Sequence, residues 1–331
     1  MLKFDEQKQI DSVNGALALR GQIESIIDQI VKDGYKNICW LGIGGTWASA
    51  LQTEVHMKEH SAIELFVENA AEYNMTGNKR IGEGTVVVIS SVSGTTVEVV
   101  ESVKRVHEAG AKVFGFIDKL NTPLAEMVDY IITYPGNEQL KFFMVADYFM
   151  KLNGEFPQYD DLYAQLDAHL AKDLVEVEKA ADAFAEEYAE EHCEDELHYF
   201  VGAGNQYGAT YSYAMCYWEE QHWIRTKSIH SAEFFHGMLE VVDKYTPVTV
   251  FIGEDSQRAA SERVAKFLPK VCGNYTIIDT KEYPMEGIDE KYRGYISHLI
   301  MHAVTNRIDV HIEAINHHPM EIRRYYRQFD Y

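Results

Sequence analysis

The stretch Ile38-Cys39-Trp40-Leu41-Gly42-Ile43-Gly44-Gly45-Thr46 decides the fold class of this chain. Its apolar run, 38–43, ends among glycines and gives way to a helical pattern that continues through His60. A strand, a glycine turn and a helix form the opening of an α/β unit. Working outward, apolar runs recur at 63–67 and 86–89. The second runs directly into Ser90-Ser91-Val92-Ser93-Gly94-Thr95-Thr96. A helical pattern follows at 97–107, then strand-like segments at 112–117 and 130–133 with a short helix, 123–127, between them. Strands that alternate with helices predict a mostly parallel, doubly wound sheet.

The pattern then returns. Residues 198–201 lead into Gly202-Ala203-Gly204-Asn205-Gln206 and a helix to about Trp223. Gly42 and Gly44 have counterparts in Gly202 and Gly204, and Ala71-Glu72 has one in Ala232-Glu233. A strand at 248–252, a helix at 256–267 and a strand at 275–278 complete the second set. Two copies of one α/β unit account for this. The expected domains are a first unit over 15–155, an acidic helical connector over 156–195, a second unit over 196–320 and a C-terminal tail over 321–331.

Composition narrows the function classes. With 331 residues, 46% of them hydrophobic, the chain has material for two cores. No run of eighteen apolar residues suggests a membrane span. The N-terminal MLKFDEQKQIDSVNG is charged and lacks the apolar centre of a secretory leader. Cys39, Cys193, Cys216 and Cys272 are scattered with no CxxC spacing, as expected of thiols in a reducing cytoplasm. Against 30 basic residues stand 52 acidic ones, a net charge of −22. Such a surface repels nucleic acid and also free phosphate metabolites, so a phosphate site has to work by local geometry.

Two regions carry candidate chemistry. A strand entering SSVSGTT and then a helix makes a phosphate cradle: helix N–H groups point outward, and Ser91, Ser93 and Thr96 add hydroxyls. The loop holds no lysine and no GxxxxGK[ST], so a nucleotide P-loop is excluded. The same residues also suit an ordinary Ser/Thr-rich cap. Neither glycine turn completes GxGxxG, which argues against a nicotinamide site. Gly45 and Thr46 still stand at a strand's carboxyl end, where open α/β sheets bind ligands.

The second region is WEEQHWIRTKSIHSAEFFHG, 218–237. At α-helical spacing Ala209, Tyr213, Cys216 and Glu220 share one face, so Glu220 extends an apolar stripe and is expected to be desolvated, as suits a general base. Glu219 lies on the adjacent face and stays open as an alternative. His236 follows Phe234 and Phe235 where the chain leaves a packed segment, with His230 as its competitor. His317 and His318 are adjacent and point apart, with no HExxH-type spacing, so no metal site is expected. No GxSxG elbow is present.

Together these motifs resemble the sugar isomerase (SIS) family, over roughly 15 to 320, whose members carry two such α/β units in tandem. The resemblance implies that Ser91, Ser93 and Thr96 bind a sugar 6-phosphate and that Gly45 and Thr46 contact the sugar. The sixteen-residue gap between Glu220 and His236 resembles that of the isomerase half of glucosamine-6-phosphate synthase and of the fructosamine-6-phosphate deglycases, and selects Glu220 over Glu219. In those proteins the Glu handles the C1/C2 proton, and the His assists ring opening and arrives from the neighbouring subunit. A homodimer or higher homo-oligomer with shared sites is therefore implied. The tail Arg323-Arg324-Tyr325-Tyr326-Arg327 lacks the synthase's Schiff-base lysine, and no glutaminase domain is expected.

The resemblance is nearest to the stand-alone deglycases, also through Glu254-Asp255-Ser256 and the residues after it. The expected activity is cleavage of a phosphorylated sugar–amino acid adduct such as fructoselysine 6-phosphate, in the cytoplasm, with no metal or nicotinamide cofactor. The alternatives are a plain aldose–ketose 6-phosphate isomerase and a non-catalytic sugar-phosphate sensor.

Overall fold

Helices α1 (Glu6–Leu17) and α2 (Arg20–Asp33) precede the first sheet. This computed structural model describes residues 1–329, so Asp330 and Tyr331 of the tail lie outside the described residues. The chain divides into two compact units. One is Lys8–Asp167, and the other joins Met1–Gln7 to the chain from Ala168 onward.

In the first unit β1 (Asn37–Gly42) leads to α3 (Gly45–His60), β2 (Leu65–Asn69), α4 (Ala70–Thr76), β3 (Thr85–Ser91) and α5 (Val97–Glu108). Then follow β4 (Lys112–Ile117), α6 (Pro123–Met127), β5 (Tyr130–Ile132), α7 (Glu138–Leu152) and α8 (Tyr159–Gln165). The sheet is parallel, in the order β2-β1-β3-β4-β5. Every residue of β1 and β3 is buried, because helices cover both faces of such a sheet. Cys39, Leu41, Val87 and Ile89 pack with Val99, Val103 and Val106 of α5. On the other face Trp40 meets Phe142 of α7 edge-on.

A short π-helical stretch, Leu166–Leu170, leads into α9 (Ala171–His192). The unit boundary thus falls inside 156–195, the stretch expected to form a connector. Tyr159 and Tyr163 of α8 bond Glu24 and Asp147 within the first unit. The buried side of α9, with Leu174, Ala181 and Ala185, belongs to the second unit.

There β6 (His198–Gly202), α10 (Asn205–Ser212), a π-helix (Tyr213–His222), β7 (Thr226–His230), β8 (Val248–Ile252), α11 (Arg258–Phe267), β9 (Tyr275–Asp279) and α12 (Glu290–Asn316) follow in order. The parallel order is β7-β6-β8-β9, and α12 packs along α9. Val201, Val250 and Ile252 pack on Phe234 and Val264, and Phe200 and Phe251 face Tyr213.

The two sheets repeat one topology, with β6, β7, β8 and β9 standing for β1, β2, β3 and β4. The repeat extends to backbone detail. Gly44 has φ 61 and ψ −130, and Gly204 has φ 62 and ψ −138. This left-handed conformation favours glycine, which explains why the two turns share it. No helix among the described residues is long and apolar enough to cross a membrane.

Candidate functional site

In each unit chain order reverses direction across the sheet at one place, between β1 and β3 and between β6 and β8. Ligands of open α/β sheets bind in the crevice beyond the strands' carboxyl ends at such a switch point. In the first unit those ends are the Gly45–Thr46 turn and the serine loop, so the residues expected to bind substrate flank one crevice.

The serine loop is shaped by its own hydroxyls. Ser91 Oγ accepts the Gly94 N–H at 3.0 Å and Ser93 Oγ accepts that of Thr95 at 3.2 Å. Gly94 has φ +66, and a Cβ there would collide with Thr122. Thr96 is the cap residue of α5 but makes no side-chain cap hydrogen bond. The first-turn amides of a 12-residue helix are thus left without a side-chain cap, and those groups and the helix dipole suit an anion. Thr46 also folds its hydroxyl into its own turn. Its hydroxyl donates to Ile43 O at 3.0 Å and accepts the Ile43 N–H at 3.2 Å, within the turn itself.

The sequence did not announce the group behind this crevice. Glu138 opens α7, and burial pushes its carboxyl up, against hydrogen bonds from the Ser90 and Ser49 hydroxyls. Lys141, one turn on, is pushed down by burial and donates to Tyr134 O at 2.7 Å. Asp118, 3.8 Å from its ammonium, is pushed up by burial. The signal available was a Glu and a Lys three apart in the first turn of a helix otherwise as apolar as FFMVADYFM.

In the second unit the equivalent crevice is filled. Asp255, just beyond β8, accepts the Asn205 N–H at 2.6 Å and the Gln257 N–H at 2.9 Å. A Cβ on Gly204 would fall on its carboxylate. The protein's own anion thus sits at the start of α10, where the first unit has hydroxyls.

The helix bearing Glu220 is not the α-helix that the spacing predicts. From Tyr213 to His222 it is a π-helix, with i→i+5 bonding. Tyr213 and Trp218 both pack against Phe200. Five α-helical residues would turn them about 140° apart, and the wider turn keeps both aromatics on the sheet. The face holding Glu220 rotates accordingly. Its side chain is 37% exposed rather than desolvated, and Oε1 accepts Arg323 Nε at 2.8 Å. At that exposure the pair contributes on the order of 0.2–1 kcal/mol. Glu219 instead accepts the N–H and hydroxyl of Thr226 at 3.2 and 2.8 Å, holding the start of β7.

His236 ends a 3₁₀ turn, Phe234–His236, whose Phe234 is buried while the imidazole is exposed. Among the described residues Glu220 and His236 share no hydrogen bond. His230 accepts the Ala232 N–H at 3.1 Å and meets the Tyr207 ring edge-on. His318 packs on Trp223 with ring centroids 3.9 Å apart, and His317 ends α12 in a left-handed conformation.

Among the described residues one group has ligand spacing for a metal: His192, Asp195 and His198, at the amino end of β6. Asp195 Oδ2 takes both Nδ1 atoms, at 2.9 and 2.8 Å, and His198 Nε2 reaches Thr249 Oγ1 at 2.8 Å. Burial pushes His198 down to about 4, so it is neutral near pH 7. The three side chains satisfy one another and pin α9 to β6.

Two parallel sheets of this topology, the first with a hydroxyl-lined crevice, make a tandem doubly wound α/β protein. Residues 34–148 match the SIS domain. Over its length it is similar to fructosamine deglycase FrlB of Bacillus subtilis (strain 168), 26% identical across 94% of this chain and 97% of that protein. Fructoselysine 6-phosphate deglycase of Escherichia coli (strain K12) is 22% identical across 92% and 89%. Among solved structures, a Bacillus subtilis protein described as a phosphosugar isomerase superposes with a TM-score of 0.85, at 24% identity over 90% of this chain and 93% of its own. The C-terminal domain of glucosamine-fructose-6-phosphate aminotransferase from Francisella tularensis gives 0.76, at 14% identity and 95% coverage of both.

Proposed function

We propose that this protein is a deglycase that splits a phosphorylated sugar–amino acid adduct, such as fructoselysine 6-phosphate, into a hexose 6-phosphate and the free amino acid. The observation that carries the reading is the end-to-end likeness to fructosamine deglycase. The site geometry is in keeping with it. Thr96 and the amides opening α5 receive the phosphate, with Ser91 and Ser93 shaping the loop and adding hydroxyl contacts, and Gly45 and Thr46 line the sugar's flank. Phosphate binding there positions C1 and C2.

With the ring open and the ketone at C2, Glu220 removes a proton from C1, and the electron pair forms the C1–C2 double bond of an enaminol. His236 delivers a proton to the C2 oxygen. Glu220 then returns its proton to C2, and the double bond shifts to C1–N. Water adds to this imine and expels the amine, leaving glucose 6-phosphate. General base catalysis of such a proton shift is worth on the order of 10²–10⁴ in rate. No step requires a metal or a nicotinamide. The protein acts as a homodimer or larger oligomer, His236 entering the neighbouring subunit's site.

The test is release of hexose 6-phosphate with free amine from fructoselysine 6-phosphate and from its C2-amino isomer. Glucose 6-phosphate plus lysine from the first is expected. Fructose 6-phosphate from the second alone would move the nitrogen to C2. Sugar product without amine would make the protein an isomerase, and tight binding without product would make it a sensor.

A further inference from the structure

Glu220, the base of the proposed reaction, already holds an N–H. Arg323 Nε donates to Oε1 at 2.8 Å, across 103 residues of sequence. One carboxylate oxygen is thus engaged, and a ligand group that draws Arg323 away leaves both oxygens free to face carbon. The guanidinium is held in a defined plane, since Nη1 donates to the carbonyls of Met320 and Ile322. That leaves Nε and Nη2, the two donors lying parallel on one side of an arginine. Nη2 has no partner among the described residues.

The tail around it is anchored. Arg324 lies over the Trp223 ring at 4.0 Å, and Trp223 in turn packs on His318. Trp223 closes the same π-helix that carries Glu220. A carboxylate accepting from Nε and Nη2 together makes two parallel bonds where Glu220 makes one, and this geometry favours arginine over lysine. On a chain of net charge −22, such a fork is also a local exception to a surface that repels anions.

We propose that Arg323 selects substrates whose amine fragment carries a carboxylate. The substrate carboxylate takes the Nε/Nη2 edge and releases Glu220 to act on C1. This rests on the deglycase reading, and it assigns to Arg323 the discrimination of amino-acid adducts from adducts of simple amines. The phosphate has its own site in the serine loop, so the amino acid's carboxylate is the substrate anion left to meet Arg323.

The experiment compares kcat/KM for fructoselysine 6-phosphate with that for the 6-phosphate adduct of 1,5-diaminopentane, which is lysine without its carboxylate. Both are measured in wild type, Arg323→Ala and Arg323→Lys. Wild type is expected to prefer the carboxylate adduct by roughly 10- to 100-fold, the range of a charged hydrogen bond. Arg323→Ala should bring that ratio close to one, and Arg323→Lys should restore only part of it. A ratio that survives in Arg323→Ala, or a wild type that cleaves both adducts equally well, overturns the proposal and leaves the deglycase reading standing. A wild type that cleaves neither adduct overturns both.

Discussion

Asp255 lies against the first turn of α10, its Oδ2 accepting the Asn205 N–H at 2.6 Å. The corresponding position in the first unit is lined by the hydroxyls of Ser91, Ser93 and Thr96. One of the two repeated units thus fills this position with its own carboxylate, and the other lines it with hydroxyls. Asp255→Ala should destabilise the protein by about 1–3 kcal/mol, because two part-buried N–H groups lose their acceptor. Denaturant unfolding measures this. A loss within the error of wild type would mean that the carboxylate does not hold the turn.

Thr96 and Ser91 should separate on mutation. Thr96 makes no cap bond, so Thr96→Ala is expected to raise KM for the phosphorylated substrate at least several-fold with little change in Tm. Ser91→Ala removes the acceptor of the Gly94 N–H and should lower Tm as well. Equal effects of the two on stability would contradict this division.

Glu220→Gln should lower kcat by about 10²–10⁴ while sugar-phosphate binding persists. Glu219→Gln is expected to weaken the start of β7 and to leave kcat within a few-fold of wild type. Binding is read by calorimetry and turnover by amine release. A Glu219→Gln defect as deep as that of Glu220→Gln would exchange their roles.

Mixing inactive Glu220→Gln with inactive His236→Asn tests the shared site. If His236 serves the neighbouring subunit, mixed oligomers contain a site with both native residues, and activity returns. No recovery after verified subunit exchange would place both residues in one subunit.

Burial pushes Glu178 up to about 7, with Arg307 opposing and Asp182 assisting the rise. A carboxyl raised in the folded state contributes stability that is fully present below its ordinary value of 4.5 and is lost as pH rises through 7. Glu178→Gln should therefore raise stability above pH 7, by on the order of 3 kcal/mol at most, with little effect near pH 4. Melting curves across that range would show it, and a Tm difference independent of pH would refute it.

Much of this protein was legible in its sequence for local reasons. Buried parallel strands are apolar runs, turns with positive φ favour glycine, and a proline after a capping threonine starts a helix, so β4, β8 and α6 match their expected spans. The glycine spacing also announced the duplication. Other elements carried no such mark. Thr226–His230 is a strand with Ile229 as its one aliphatic residue, and α12 is apolar on several sides and interrupted by buried Arg293, Arg307 and Asp309. Tertiary packing decided the rest. Two aromatics five residues apart had to meet one sheet, which turned the helix to π geometry and took Glu220 off its apolar stripe. A carboxylate from a distant loop filled one crevice of two, and an arginine 103 residues away reached the proposed base. Periodicity records which side of an element is buried, but a partner distant in sequence exists only once the chain has folded.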